Sequence, residues 1–103
     1  MAELDPTRGH EQAGIRPVLV LSTDVYNRGP ADLVVAVPLT SKGKGVRWHL
    51  PVLPPEGGLT LPSFVLCDAL RSLAKERCVR RLGTVTPATL KEVADRVRIL
   101  LDL

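Results

Sequence analysis

Residues 9–22 read GHEQAGIRPVLVLS, and their chemistry changes in the middle of the segment. The first half is polar and contains two glycines, which is typical of a loop. The apolar run that begins after Pro17 predicts a short buried strand. Because the residue before a proline favours extended geometry, Arg16 is fixed where a loop meets a rigid strand. Functional side chains often occupy such junctions, although on spacing alone a strand-end charge in solvent is the commoner case.

The composition narrows the class of protein. The chain has 103 residues, of which 45% are hydrophobic and 24% charged, and this fits one globular domain over residues 1–103. Its longest apolar runs, 18–21 and 33–37, are too short to span a bilayer, and its first residues do not form a signal peptide. We therefore expect a cytoplasmic protein that makes no use of a membrane. Cys67 and Cys78 fit no CxxC or zinc spacing, which predicts apolar core residues and no disulfide.

Patterning predicts an α+β domain. Short apolar strands, separated by turns rich in glycine and proline, are predicted at 17–22, 32–37, 46–53 and 63–68. The segment 32–37 is nearly all apolar, so both of its faces should be buried in the centre of a sheet. Segment 69–76 fits a helical turn and a strand equally well.

The C-terminal part has a clear helix start. Thr86 is a candidate N-cap, Pro87 suits the first helical position, and apolar residues then recur at helical spacing up to residue 101. This predicts an amphipathic helix of about four turns. We therefore expect a small curled sheet or barrel covered by one C-terminal helix.

The charge is modest and locally concentrated. The net charge is +3 and the pI is near 9.2. Basic residues are grouped around Lys42 and around Arg77, and either group could contact a polyanion. A solvated basic face is the alternative. With only three aromatic residues, the chain lacks the means for an extended base-stacking platform.

Four blocks of sequence carry a family resemblance. They are LDPTxGHEQxxxRPVLV from Leu4, VPLTS from Val37, SxVxCDxxR from Ser63 and RxxxRLG from Arg77. In these blocks the chain resembles the MazF/PemK (Kid) family of toxin endoribonucleases over nearly its whole length. The resemblance implies an SH3-like or CcdB-like barrel that forms a homodimer. It also implies sequence-selective cleavage of single-stranded RNA such as mRNA, no metal or other cofactor, and inhibition by a cognate MazE-like antitoxin.

The resemblance also implies roles for individual residues. Arg16 and Thr40 fall on the catalytic pair of the bacillary members, and Glu11 is a further candidate for catalysis. The residues expected to contact RNA are His10, Gln12, Ser41, Lys42, Lys44, Asp68 and Arg77. Without the resemblance, Thr40 would be an ordinary turn residue, and Asp68 a strand-end acceptor of backbone hydrogen bonds.

Two departures from the family pattern affect these expectations. Kid-type members place a catalytic arginine two residues before the position of Asp68, where this chain has Leu66, so we favour Arg16 with Thr40. The family's usual opening strand, with its Arg-Gly-x-x-Trp pattern, is also missing before Leu4. Either the start is truncated or the first strand is supplied differently.

The residue inventory favours a metal-free reaction. His10 and His49 are far apart in sequence and no carboxylate cluster accompanies them, so no metal site is predicted. The expected nucleophile is then the 2′-hydroxyl of the substrate. An arginine does not ordinarily give up its proton, which leaves Glu11, His10 and Asp68 as candidate bases. Glu11 could instead only orient Arg16.

Two other functions remain open from the sequence. One is a non-enzymatic gyrase poison of the CcdB type, and the other is a catalytically inactive binding module. The first relies on a C-terminal aromatic residue, whereas this chain ends in LLDL. The presence of both Arg16 and Thr40 argues against a catalytically inactive module.

Overall fold

The structure is a computed structural model that describes residues 2–5, 14–43 and 45–103. Its strands are β1 (Ala2–Asp5), β2 (Gly14–Arg16), β3 (Val18–Val20), β4 (Leu33–Thr40), β5 (His49–Val52), β6 (Ser63–Leu66) and β7 (Arg71–Ala74). Its helices are α1 (Asp24–Asn27) and α2 (Pro87–Leu101), with single 3-10 turns at Glu56–Gly58, Cys67–Ala69 and Lys75–Arg77. The predicted α+β class is confirmed.

Strand β4 is the centre of the sheet. The antiparallel strand order is β3-β4-β6-β5, and β7 pairs with the first half of β4. Ala36 therefore has a partner on each edge, Val20 on one side and Arg71 on the other. The prediction of a central strand here is confirmed, and the strand extends as far as Thr40.

Both faces of β4 are buried, as its apolar sequence predicts. Val37 and Leu39 belong to the larger core, which also contains Val65 and Cys67. Val34 and Ala36 form a smaller core with Leu73 on the other face. Cys67 is fully buried, in agreement with its predicted core position, and burial raises the pKa of its thiol.

The sheet formed by the described strands is open, so of the curled sheet and the barrel expected from the sequence the structure has the curled sheet. Among the described strands, β3 and β5 are edges that do not pair with each other, and β1 pairs with β2 in a separate two-stranded sheet. The core is covered instead by α2, whose Val93 is fully buried in the larger core. A helix thus provides the burial that strand closure would otherwise provide.

An insertion separates β6 from β7 along the edge of β4. Val65 pairs with Leu39, and Arg71 with Ala36, so residues 66–70 lie opposite residues 37 and 38 alone. The Cys67–Ala69 turn takes up this extra chain. Segment 69–76, for which the sequence left two alternatives, contains both a strand and a helical turn.

Helix α2 begins as predicted. The Thr86 side chain accepts a hydrogen bond of 3.1 Å from the backbone N–H of Thr89, and Pro87 follows at the first helical position. The helix ends at Asp102, which has a left-handed backbone conformation. None of the helices in the described part of the chain has both the length and the hydrophobicity that a membrane span requires.

Candidate functional site

The site is built where β2 gives way to β3, next to the end of β4. Pro17 separates the two short strands and cannot donate a backbone hydrogen bond, but its carbonyl accepts one of 3.0 Å from the amide of Leu39. Arg16 precedes Pro17 and Thr40 follows Leu39. This backbone hydrogen bond therefore brings together two residues that are distant in sequence.

A cavity of about 550 Å³ opens at this junction. Its walls are formed by Arg16, Pro17, Leu39, Thr40, Ser41, Lys42 and Leu66. Arg16 and Thr40 are half-buried, whereas Ser41 and Lys42 are exposed. Four of the residues expected from sequence to act on RNA thus lie around one cavity, and their polar groups are cations and hydroxyls. This set of groups suits a phosphate.

Thr40 is fixed by the chain that follows it. Its hydroxyl oxygen accepts a hydrogen bond of 3.1 Å from the backbone N–H of Lys42. The hydroxyl keeps its own hydrogen to donate, besides a second lone pair. It can therefore donate to an oxygen of a ligand bound in the cavity.

The loop after Thr40 is packed at Gly43. A side chain at this position would collide with the ring of Phe64, which pairs with Thr40 from β6. In contrast, a side chain at Gly45 would meet open space. The absence of a side chain at Gly43 thus lets the backbone of the loop lie against an aromatic ring.

Leu66 gives the cavity an apolar wall on the β6 side. This is the position where the Kid-type pattern would place an arginine. In the described part of the chain, the cations that line the cavity are Arg16 and Lys42 alone.

Asp68 and Arg77 lie elsewhere. Asp68 occupies the Cys67–Ala69 turn, where its Oδ1 is 3.5 Å from Nε2 of His49, and it does not line the cavity. Arg77 lies in the turn after β7 and is half-buried, and its Nη2 finds no acceptor among the described residues. Neither is brought to the Arg16–Thr40 cavity. The predicted residues His10, Glu11, Gln12 and Lys44 lie outside the described residues.

Two polar contacts outside the cavity were not predicted from the sequence. His49, at the start of β5, is mostly buried and faces Asp68. Arg96 of α2 donates through Nε to the carbonyl oxygen of Arg47 at 3.1 Å. The sequence does indicate that Arg96 lies close to the core, because it stands between Val93 and Val97 at the border of the apolar helix face. No sequence pattern singled out His49.

The side chains that could bind a metal ion are not grouped in the described part of the chain. Within residues 2–5, 14–43 and 45–103, no three His, Cys, Asp or Glu side chains come close enough to hold a metal ion. The cavity itself presents Arg16, Thr40, Ser41 and Lys42. Hard divalent cations prefer carboxylate and carbonyl oxygens, so these four side chains do not make a magnesium or calcium site.

The fold and the site identify the class of protein. The chain belongs to the family of PemK-like, MazF-like toxins of type II toxin-antitoxin systems, whose model matches residues 1–101. The resemblance seen in the four sequence blocks is thereby confirmed.

Individual relatives agree with this assignment. The chain is 37% identical over 103 residues to Endoribonuclease PemK of Escherichia coli, covering 98% of this chain and 77% of that protein. A crystal structure of MazF from Deinococcus radiodurans superposes with a TM-score of 0.81 at 37% identity, covering 99% of this chain and 90% of that one. A MazE-MazF structure from the same organism matches with a TM-score of 0.73 at 36% identity, over 84% of this chain and 85% of that one. The prediction of an endoribonuclease toxin agrees with the activity for which these relatives are named.

Proposed function

We propose that this protein cleaves single-stranded RNA without a metal ion, using the 2′-hydroxyl next to the scissile phosphate as nucleophile. The observation that supports this most strongly is the cavity shared by Arg16 and Thr40, which also includes Lys42 and no carboxylate from the described residues. Attack by the 2′-oxygen breaks the bond from phosphorus to the 5′-oxygen. The products are a 2′,3′-cyclic phosphate upstream and a 5′-hydroxyl downstream.

Arg16 binds the phosphate in this proposal. Its guanidinium can donate two parallel hydrogen bonds to phosphate oxygens and so stabilise the charge that grows on them in the transition state. One well-placed donor of this kind contributes about 3–4 kcal/mol to catalysis. The extended backbone of β2 and the rigid Pro17 limit the motion of Arg16, which keeps the donors in position.

Thr40 and Lys42 support the same phosphate. The Thr40 hydroxyl donates to a phosphate oxygen while it accepts from the Lys42 amide. The exposed Lys42 ammonium supplies a long-range positive charge, which favours the approach of a polyanion.

The reaction also needs a group that takes the proton from the 2′-hydroxyl, while the departing 5′-oxygen takes up a proton from water. We place Glu11 in this role, because it belongs to the polar segment that leads into Arg16. His10 and Asp68 are the other candidates, and Asp68 is engaged with His49 instead of the cavity. Glu11→Gln should therefore lower the rate more than Asp68→Asn does.

A cognate antitoxin is the second partner that we propose. The support comes from the MazE-MazF structures among the similar folds and from the open, basic cavity. An acidic segment bound across Arg16 and Lys42 would block RNA entry. Competition between such a peptide and RNA is expected in a binding assay, and simultaneous binding of both would contradict the proposal.

The homodimer implied by the family resemblance stays a prediction. Apolar side chains are exposed at the end of α2, namely Ile99, Leu101 and Leu103, and a second copy could cover them. Analytical ultracentrifugation would show the state directly. A monomer at micromolar concentration would contradict the prediction.

The test of the function is to incubate the purified protein with a mixed single-stranded RNA in EDTA and map both ends at each cut. We expect discrete cuts with cyclic phosphate and 5′-hydroxyl ends. Cuts that require added divalent metal, or that carry 5′-phosphates, would overturn the mechanism.

A further inference from the structure

Helix α2 contacts the loop that borders the cavity. This loop, residues 41–48, joins β4 to β5 and carries Lys42 and Arg47. Arg96 of α2 reaches this loop. Its Nε donates a hydrogen bond of 3.1 Å to the backbone carbonyl oxygen of Arg47, a residue distant in sequence.

Arg96 is itself held in place by its own helix. Its Nη1 donates to the carbonyl oxygen of Glu92 at 3.3 Å and to the Glu92 carboxylate at 3.4 Å. The side chain of Arg96 is 28% exposed, which is far less than the 55% of Arg98 on the same helix. Arg96 is thus a partly buried, oriented donor, whereas Arg98 pairs with the Asp95 carboxylate of its own helix.

Other contacts hold both ends of the loop, in addition to the hydrogen bond from Arg96 in its middle. At its start, the loop is held by the Thr40 hydroxyl and by Gly43 against Phe64. At its end, the carbonyl of Trp48 accepts a hydrogen bond of 2.9 Å from the amide of Cys67. Arg47 lies between these ends with its guanidinium 5.0 Å from the Trp48 ring centroid.

We propose that Arg96 is a positioning residue that fixes the 41–48 loop, and with it Lys42 and Arg47, in the geometry that binds the RNA backbone. This rests on the proposed function, since it takes RNA as the ligand of the cavity. Ordering the loop in advance lowers the entropy cost of binding. The catalytic candidates Arg16 and Thr40 lie on strands, so Arg96 should affect RNA affinity and leave the chemical step nearly unchanged.

Trp48 allows the loop to be followed without RNA. It is the only tryptophan in the chain and lies next to the residue that Arg96 holds. Quenching of its fluorescence by acrylamide, a neutral quencher, reports exposure of the loop independently of charge. We expect Arg96→Ala to increase quenching relative to the wild type at a temperature well below unfolding.

Arg98→Ala is the matched control. It removes the same charge from the same helix, but Arg98 donates to Asp95 and not to the loop. We expect Arg98→Ala to leave Trp48 quenching and RNA affinity close to those of the wild type. Glu92→Gln is a second variant, which keeps Arg96 but weakens its orientation, and it should shift quenching in the direction of Arg96→Ala.

The RNA measurement uses an oligonucleotide with deoxyribose at the cleavage site to obtain Kd, and the all-ribose oligonucleotide to obtain kcat. For Arg96→Ala we expect Kd to rise about five- to tenfold through the lost ordering of the loop, with kcat within about twofold of the wild type. The slope of log Kd against log salt should also fall by about one, since a phosphate contact is lost.

The outcomes separate this proposal from the proposed function. If wild-type protein neither binds nor cuts RNA, the proposed function fails, whatever Trp48 shows. If wild-type protein cuts RNA but Arg96→Ala and Glu92→Gln leave Trp48 quenching and Kd unchanged, Arg96 does not position the loop. An equal loss of affinity in Arg98→Ala would likewise overturn the proposal, because simple charge removal would then explain it.

Discussion

The amide of Leu39 donates a backbone hydrogen bond of 3.0 Å to the carbonyl oxygen of Pro17, and this bond joins the two halves of the site. One partner follows Arg16 and the other precedes Thr40. The bond lies in the backbone, so substitutions of Arg16 or Thr40 leave it in place. Function and folding can therefore be tested separately at these two residues.

Arg16→Ala should lower the rate of RNA cleavage by at least about 100-fold, the scale expected for loss of one transition-state donor. The fold should survive, since the side chain is half-buried at the cavity and belongs to neither core cluster. Single-turnover cleavage and circular dichroism measure the two effects. Activity close to that of the wild type would remove Arg16 from the mechanism.

Thr40→Val keeps the shape of the side chain and removes its hydroxyl. Two hydrogen bonds are lost with it, namely the one that the hydroxyl donates to phosphate and the one that it accepts from the Lys42 amide. Losing the hydrogen bond from the amide costs about 0.5–1.5 kcal/mol, and losing the one to the charged phosphate costs about 1.5–3 kcal/mol. The second loss is below the value of about 3–4 kcal/mol expected for Arg16, which predicts a smaller loss of cleavage than that of Arg16→Ala. Thr40→Ser restores the hydroxyl and should recover most activity. If Thr40→Ser is as poor as Thr40→Val, the hydroxyl is not the functional group.

Gly43→Ala tests the packing of the loop against Phe64. The new methyl group collides with the Phe64 ring, so the loop must move, and a forced shift of this type costs about 1–3 kcal/mol of stability. RNA affinity should fall with it. Gly45→Ala is the control, because it also restricts the backbone but meets open space. Equal effects of the two substitutions, measured by chemical unfolding and RNA titration, would argue against packing at Gly43.

Stability at acid pH should depend on Glu56. Hydrogen bonds from the Thr89 side chain and from the Thr86 backbone N–H lower the pKa of the Glu56 carboxyl in the folded state. A lowered folded pKa stabilises the fold above the ordinary value of about 4.3, and this contribution is lost as the pH falls through the folded pKa. Because Glu56 is partly exposed, we expect less than about 1 kcal/mol. Glu56→Gln should show a shallower loss of unfolding free energy than the wild type below that pH. Parallel curves for the two proteins would contradict this assignment.

Local patterns in the sequence predicted the parts of the fold that depend on neighbouring residues. The nearly all-apolar run that became β4 and the Thr86-Pro87 start of α2 are examples, since strand burial and helix capping are determined within a few residues. The insertion at Cys67–Ala69 was not predicted, because it can be recognised only from the residues of β4 with which β6 and β7 pair. Pairing across a sheet is a long-range property that local periodicity does not contain.

The candidate site likewise has features that depend on neighbouring residues and features that depend on long-range contacts. The proline after Arg16 indicated a fixed cationic side chain, and the family resemblance added Thr40, which the structure places at the same cavity. The contact from Arg96 to Arg47 joins a helix to a distant loop, and the pairing of His49 with Asp68 joins β5 to the turn after β6. Such contacts depend on tertiary packing, so spacing along the chain could not reveal them.

The central claim is that the substrate's own 2′-hydroxyl is the nucleophile, and one substituted RNA tests it most directly. The measurement compares an oligonucleotide that carries a single deoxyribose immediately before the scissile phosphate with the all-ribose molecule, both in EDTA. We predict that the deoxyribose blocks cutting at that bond while binding persists, because phosphate contacts from residues such as Arg16 and Lys42 supply most of the affinity. Cutting of the deoxy-substituted RNA at the same bond would contradict the account, since an activated water would then have to perform the attack.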